Sequence, residues 1–102
     1  MTIRHIVLVK FRADVPATER QGIYDQLAAL QDHLAISAMS FGANVSPEGL
    51  HQGFTEGFTL DFSDATARDA YLADPAHQAA GARLVEALDG GVAGLLVFDI
   101  VV

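Results

Sequence analysis

Four stretches of the chain have the residue pattern of β-strands. Residues 38–46 and 53–62 place apolar and polar side chains at alternate positions, which predicts two half-buried strands paired as a hairpin. Residues 3–12 and 92–102 are apolar at both odd and even positions, so we expect both faces of these strands to be covered. The odd positions of the first strand are Ile3, His5, Val7, Val9 and Phe11, and the even positions include Ile6 and Leu8.

Two other regions follow the helical period. Residues 17–35 follow Pro16 and carry apolar side chains at spacings of four, three and four, which predicts one amphipathic helix. Its apolar stripe consists of Ile23, Leu27, Leu30 and Leu34. Farther along, residues 63–72 and 75–88 predict two helical pieces, with Asp74 as the N-cap of the second piece and a proline as its first residue.

The order of these elements, β-α-β-β-α-β, predicts an α+β fold of the ferredoxin-like type in one domain, residues 1–102. Such a domain has a four-stranded antiparallel sheet with its helices on one face. The helices leave the other face uncovered, although the first and last strands are apolar on both faces, and a large exposed apolar face is unusual in a soluble monomer. We therefore predict a symmetric homodimer through this sheet face, with Ile6 and Leu8 in the interface.

Charge and composition exclude several classes of function. The formal net charge of −7 argues against nucleic acid and anionic membrane surfaces as partners, since both require clustered Lys and Arg; alternatively, the acidic surface serves only solubility. Cysteine is absent, which excludes disulfides and thiolate chemistry. Neither an N-terminal signal nor an apolar run long enough to span a membrane is present, so the cytoplasm is the expected compartment.

Several short motifs occur in order along the chain: "RHIVLVKFR" at the start, then Gly-x-Asn-x-Ser, Gly-aromatic-Thr, Tyr-Leu-x-x-Pro-x-His, and "GLLVFDI" at the end. Together they resemble the Dabb family of stress-responsive A/B barrel domains. The resemblance covers nearly the whole chain and implies a dimeric α+β barrel. One position departs from the family pattern, because Glu56 stands where many members have a histidine after Gly-aromatic-Thr.

The resemblance also implies a candidate catalytic site. A plant cyclase of this family closes a linear tetraketide by aldol condensation, with two histidines and a tyrosine that match His5, His77 and Tyr71. In this sequence, His77 shares a helical stripe with Ala80, Leu84 and Leu88, which places it toward the sheet. His5 shares its strand face with Val7 and Val9. A neutral imidazole transfers protons near physiological pH, and a phenol can donate a hydrogen bond to a developing enolate.

Three interpretations of the function stay open at this point. The first is a pocket between sheet and helices that binds a small apolar or carbonyl-containing molecule, with cofactor-free acid–base catalysis at the three candidate residues. The second is a non-catalytic dimeric binding module, in which His5, His77 and Tyr71 are core residues. The third, a monooxygenase or decolouriser, rests on fold analogy alone. A large enclosed pocket that touches both histidines would favour the first interpretation, and a filled layer would favour the second.

The remaining polar residues predict less. His51 lies in a turn cluster and His33 lies late in the first helix, where a cation suits the helix dipole. Asn44, Ser46 and Glu48 offer oxygen ligands for a hard cation, but their spacing is first that of an Asx-type turn. We predict no metal ion and no organic cofactor, because the sequence has neither transition-metal ligand spacing nor a glycine-rich phosphate loop before a helix.

Overall fold

The computed structural model describes residues 1–102 and has the predicted order of elements. The strands are β1 (Ile3–Val9), β2 (Ser37–Ala43), β3 (Glu56–Phe62) and β4 (Leu95–Val101), and the helices are α1 (Ala17–Ala28), α2 (Ala65–Ala73) and α3 (Pro75–Glu86). The strands form one sheet in the order β2-β3-β1-β4, with every neighbouring pair antiparallel. The ferredoxin-like α+β fold predicted from the sequence is confirmed. None of the helices exceeds 12 residues, which is too short to span a bilayer.

The hydrophobic core lies between the helices and one face of the sheet, which we call the inner face. The odd positions of β1 point into this core, as the alternation predicts, and His5 is buried there with Val7 and Val9. Of the predicted stripe, Ile23 and Leu27 in α1 and Leu30 in the 3₁₀ turn that follows are buried against the same layer. The strand period and the helical period therefore identified the same core from two sides.

The outer strand boundaries predicted from the sequence are too wide, because tertiary hydrogen bonds redirect the chain before the apolar pattern ends. β1 ends at Val9 rather than residue 12, since the backbone N–H of Lys10 donates to Gly94 and that of Arg12 donates to Ala87. In β4, residues 92–94 belong to a 3₁₀ turn, and pairing with β1 begins only at Leu95.

The central hairpin and the first helix also differ in length from the prediction. β2 covers Ser37–Ala43 and β3 covers Glu56–Phe62, so the connecting loop is longer than expected. Positive φ angles at Gln52 and Gly53 turn that loop back toward the sheet before β3 can begin. The helix predicted over 17–35 ends at Ala28 and tightens into a 3₁₀ turn, as is common at the C-terminus of an α-helix.

One half of the outer face of the sheet carries large apolar side chains, and the other half carries small or polar residues. The apolar half lies on β1 and β4 and includes Leu8, Leu96, Phe98 and Ile100, which are 36%, 40%, 57% and 39% exposed. The other half lies on β2 and β3, where an open groove of about 590 Å³ runs under the loop between the two strands. This face is uncovered in a single chain, as the sequence predicts.

Candidate functional site

The three predicted site residues line one cavity between the inner face of the sheet and helices α2 and α3. The cavity has a volume of about 310 Å³, near the lower end of the usual range for ligand pockets. His5 lies on its floor, and Tyr71 and His77 lie on its helical side. The remaining walls are mostly apolar and are formed by Val7, Leu27, Phe58, Leu72, Gln78, Gly81, Leu84, Val85, Leu95 and Val97. The layer between the sheet and the helices is therefore not filled beside His5 and His77.

The break between α2 and α3 brings Tyr71 and His77 together. Asp74 is the N-cap of α3, and its carboxylate accepts a hydrogen bond from the backbone N–H of His77 at 3.0 Å. Pro75 follows as the first helical residue, where its missing N–H is not needed. The chain turns sharply at this point, so that the Tyr71 and His77 rings lie with their centroids 4.0 Å apart.

Tyr71 is a buried phenol without a hydrogen-bond partner in the chain. Its side chain packs against Phe62 and the ring of His5, with centroid distances of 5.1 and 5.8 Å. Burial raises the pKa of Tyr71 to about 12, since the phenolate would lose its hydration. The hydroxyl therefore stays protonated at physiological pH and is able to donate a hydrogen bond.

A carboxylate from the last strand orients His5. Nδ1 of His5 lies 2.6 Å from Oδ1 of Asp99, whose Oδ2 accepts a hydrogen bond from Nη1 of Arg68 at 3.2 Å. The His5 side chain is 5% exposed and that of Asp99 is 26% exposed, so the contact is largely shielded from water. When Nδ1 donates to Asp99, Nε2 becomes the basic nitrogen of the ring. Nε2 has no hydrogen-bond partner in the chain.

Asp99 and Arg68 are site residues that sequence reasoning missed. Asp99 is the one charged residue in the otherwise apolar stretch 92–102, which is a signal that could have singled it out. Its proximity to His5, however, follows from the β1–β4 register, in which the two residues are directly paired.

His77 carries an unsatisfied buried atom. Its Nδ1 is buried without a hydrogen-bond partner, which is uncommon for a polar atom in a folded protein. Burial lowers the pKa of His77 below the ordinary value of 6.5, and the electrostatic repulsion that a protonated His5 would exert lowers it further. A hydrogen-bonding interaction of the ring with the backbone of Leu72, and the negative charge of Asp74, raise the pKa of His77 more weakly. His77 is therefore held as a neutral imidazole at the cavity wall.

The other polar residues named from the sequence lie outside the cavity. His33 is half-exposed and pairs with the Asp74 carboxylate at 3.2 Å, and exposed His51 accepts the Gly53 N–H through Nδ1. Asn44 Oδ1 accepts the backbone N–H of Ser46, as expected for an Asx-type turn. No group of three His, Asp or Glu side chains is arranged to hold a metal ion. The absence of a metal or cofactor requirement stays a prediction.

Glu56, which departs from the family pattern, forms a separate cluster at the far end of the core. Its carboxylate accepts hydrogen bonds from the Tyr24 hydroxyl at 2.8 Å and from Arg20 at 3.1 Å. Burial, followed by the bond to Glu56, raises the pKa of Tyr24 well above its ordinary value of 10. The rings of Tyr24, Phe41 and Phe58 pack in series between this cluster and the cavity. Glu56 is thus bound in an ion pair and does not line the cavity.

The chain belongs to the stress-responsive A/B barrel domain family, Dabb, whose sequence model matches residues 3–102. A stress-response A/B barrel domain-containing protein of Arabidopsis thaliana, HS1, is 32% identical over 76 residues, which are 74% of this chain and 70% of that protein. The resemblance inferred from the sequence motifs is confirmed.

Solved structures agree with this assignment. A dimeric ferredoxin-like protein of unknown function from Jannaschia sp. CCS1 is 27% identical, with a TM-score of 0.83 over 100% of both chains. A hydroxynitrile lyase from Passiflora edulis has a TM-score of 0.88, over 99% of this chain and 93% of its own. At 16% identity, the second likeness concerns the fold alone.

Proposed function

We propose that this Dabb protein binds a small, largely apolar carbonyl compound in the cavity and acts on it as an acid–base enzyme without a cofactor. The observation that carries the proposal is the convergence of His5, Tyr71 and His77 on one open cavity whose other walls are mostly apolar. Ligand pockets commonly combine apolar walls with a few converging polar groups. The hydroxynitrile lyase shows that this fold can serve an enzyme, although its low identity gives no information about the substrate of this chain.

The proposed reaction begins with removal of a proton from the carbon next to the carbonyl group. Nε2 of His5 accepts this proton, and Asp99 stabilises the imidazolium that forms. The electron pair of the broken C–H bond forms the C=C bond of an enolate, while the carbonyl oxygen takes the negative charge. The Tyr71 hydroxyl, which has no partner in the chain, donates a hydrogen bond to that oxygen. Because His77 is neutral, it does not place a second positive charge beside the imidazolium that forms at His5.

The test is the exchange of α-protons for deuterium in a simple ketone such as 2-heptanone, followed by proton NMR in D₂O. Wild-type protein should accelerate this exchange. Asp99→Asn and Tyr71→Phe should slow it by about 10²–10⁴, the usual share of a positioned acid–base group. Ala82→Ser, an exposed change on α3, is the control and should exchange at the wild-type rate. Equal rates for Asp99→Asn and the wild type would contradict the assignment.

The same experiment separates the two leading interpretations. Ketone binding with no exchange above the buffer rate would indicate a non-catalytic binding module, in which the three residues only line the cavity. Binding is measured independently, by changes in protein NMR chemical shifts as the ketone is added.

We also propose that two copies pair through the outer face of the sheet. The apolar half of that face exposes Leu8, Leu96, Phe98 and Ile100, which together form a continuous patch on β1 and β4. Large exposed apolar patches usually mark an interface. The Jannaschia relative, which covers the whole chain at 27% identity, is dimeric. The homodimer expected from the sequence thus has support from both the exposed surface and a relative.

A further inference from the structure

Helix α3 contains a glycine, Gly81, midway along its length. Glycine is among the least favourable residues in a helix interior, because it has great conformational freedom in the unfolded chain. A glycine is kept at such a position when the backbone needs a positive φ or when another group lies too close for a side chain. Gly81 therefore calls for a reason.

Neither structural reason applies to Gly81. Its φ is not in the left-handed region, and a Cβ atom added there would meet nothing within 4 Å. Gly57 in β3 shows the contrast, since a Cβ at that position would lie 2.7 Å from the carbonyl oxygen of Val7. The fold accordingly requires a glycine at position 57 but not at position 81.

The space beside Gly81 belongs to the cavity. Gly81 lies one helical turn after His77 and one turn before Val85, on the same side of α3, and all three residues line the cavity. Opposite them is β4, an edge strand, where Leu95 and Val97 line the cavity as well. Val97 belongs to the inner face but is 52% exposed, so the cavity opens to solvent between α3 and β4.

We propose that Gly81 keeps this opening wide enough for the chain of the ligand and thereby determines which ligands fit. This inference rests on the proposed function and extends it to the shape of the substrate. The carbonyl end of the substrate lies at His5 and Tyr71. An unbranched apolar chain passes beneath Gly81 and along Val85 and Val97 toward the opening. Substrates are therefore carbonyl compounds with one slender hydrocarbon chain.

The experiment compares Gly81→Ala and Gly81→Leu with the wild type, using the series of 2-alkanones from 2-butanone to 2-undecanone. Ala79→Leu is the matched control, since residue 79 is an exposed position on the same helix and does not line the cavity. Gly81→Ala should melt at or above the wild-type temperature, because helix propensity rises and the added Cβ atom meets nothing within 4 Å. Protein NMR shifts give the affinity for each ketone.

Gly81→Leu should weaken binding of the long ketones by about tenfold or more, as expected when a filled apolar pocket excludes methylene groups. It should leave 2-butanone binding nearly unchanged, and Gly81→Ala should fall between leucine and wild type. Wild-type affinity of Gly81→Leu for the whole series would overturn the inference, as would an equal loss in Ala79→Leu. If Gly81→Leu fails to fold, Gly81→Ala decides by the same criterion.

The failure of this inference is distinguishable from that of the proposed function. If Gly81→Leu weakens the binding of long ketones as described but the wild-type protein does not catalyse α-proton exchange, the role of Gly81 is retained and the proposed catalysis is rejected. If Gly81→Leu exchanges the α-protons of every ketone as fast as the wild type, the proposed catalysis is retained and the role of Gly81 is rejected. Absence of ketone binding by the wild-type protein would reject both.

Discussion

Replacing His77 by phenylalanine should stabilise the protein while it removes a candidate site residue. Nδ1 of His77 is buried with no partner, so the folded state loses the hydration of this atom and gains no hydrogen bond in return. An unsatisfied buried polar atom costs about 1–3 kcal/mol. Phenylalanine keeps a planar ring beside Tyr71, whose centroid lies 4.0 Å away, and brings no polar atom into the site.

The expected gain is about 1 kcal/mol, because the slightly larger ring offsets part of the relief through tighter packing. In a chain of this size, 1 kcal/mol raises Tm by roughly 4–8 °C. A conventional core histidine with a satisfied ring would behave in the opposite way. Its replacement would leave a partner without a hydrogen bond and lower Tm.

The gain should also increase as the pH falls. The folded pKa of His77 lies below the ordinary value of 6.5, so below pH 6.5 the unfolded wild type takes up a proton that the folded protein resists. The free energy of unfolding of the wild type therefore decreases as the pH falls from 6.5 through the folded pKa. Above pH 6.5, His77 is neutral in both the folded and the unfolded state, so its titration no longer lowers the free energy of unfolding. His77→Phe has no such decrease.

The assay is a set of thermal melts between about pH 7.5 and 5 for the wild type, His77→Phe and His33→Gln. His33 is the control, because its ring is half-exposed and belongs to a surface ion pair. We expect the Tm difference between His77→Phe and wild type to be positive at pH 7.5 and larger at pH 5. A Tm below that of the wild type at neutral pH, with a difference that does not change with pH, would refute the reasoning.

Three further predictions concern the dimer, the Glu56 cluster and metals. Leu8→Glu should give a monomer or an unfolded chain by light scattering, since an unpaired charge buried in the interface costs several kcal/mol, whereas Ala82→Glu should not; a Leu8→Glu dimer would contradict the proposed interface. Glu56→Gln should lower the pKa of Tyr24 in an ultraviolet titration but leave it above 10, because burial is the larger cause; an unchanged titration would count against the pairing. Chelators should leave Tm unchanged, and tightly bound metal lost together with folding would contradict this expectation.

The periodicity of the apolar side chains in strands and helices predicted most of the fold, because it reports directly which face of an element is buried. It placed His5 on the inner face and His77 toward the sheet, and the structure agrees for both. It failed at the element ends. Phe11 continues the apolar pattern of β1, yet the N–H of Lys10 donates to Gly94 just after the strand ends, and such a bond between distant segments has no local signal in the sequence.

The site was predicted less completely, since its details depend on strand register and packing. Asp99 lies opposite His5 only because β1 and β4 pair in one particular register, over a sequence separation of 94 residues. The isolated Nδ1 of His77 and the empty space beside Gly81 arise from packing in three dimensions. Periodicity identifies the faces of the elements, but it does not show which atoms remain without partners.

Strand β4 connects the proposed dimer interface with the proposed site. Asp99 points to the inner face and contacts His5 at 2.6 Å, while its neighbours Phe98 and Ile100 point to the outer face. β4 is an edge strand, so within one chain only β1 holds it in the sheet. A partner packed on Phe98 and Ile100 would restrain the strand that carries the orienting carboxylate. It follows that a folded monomeric variant, such as Leu8→Glu, should exchange the α-protons of a ketone more slowly than the dimeric wild type, although residue 8 lies on the opposite face of the sheet from the cavity.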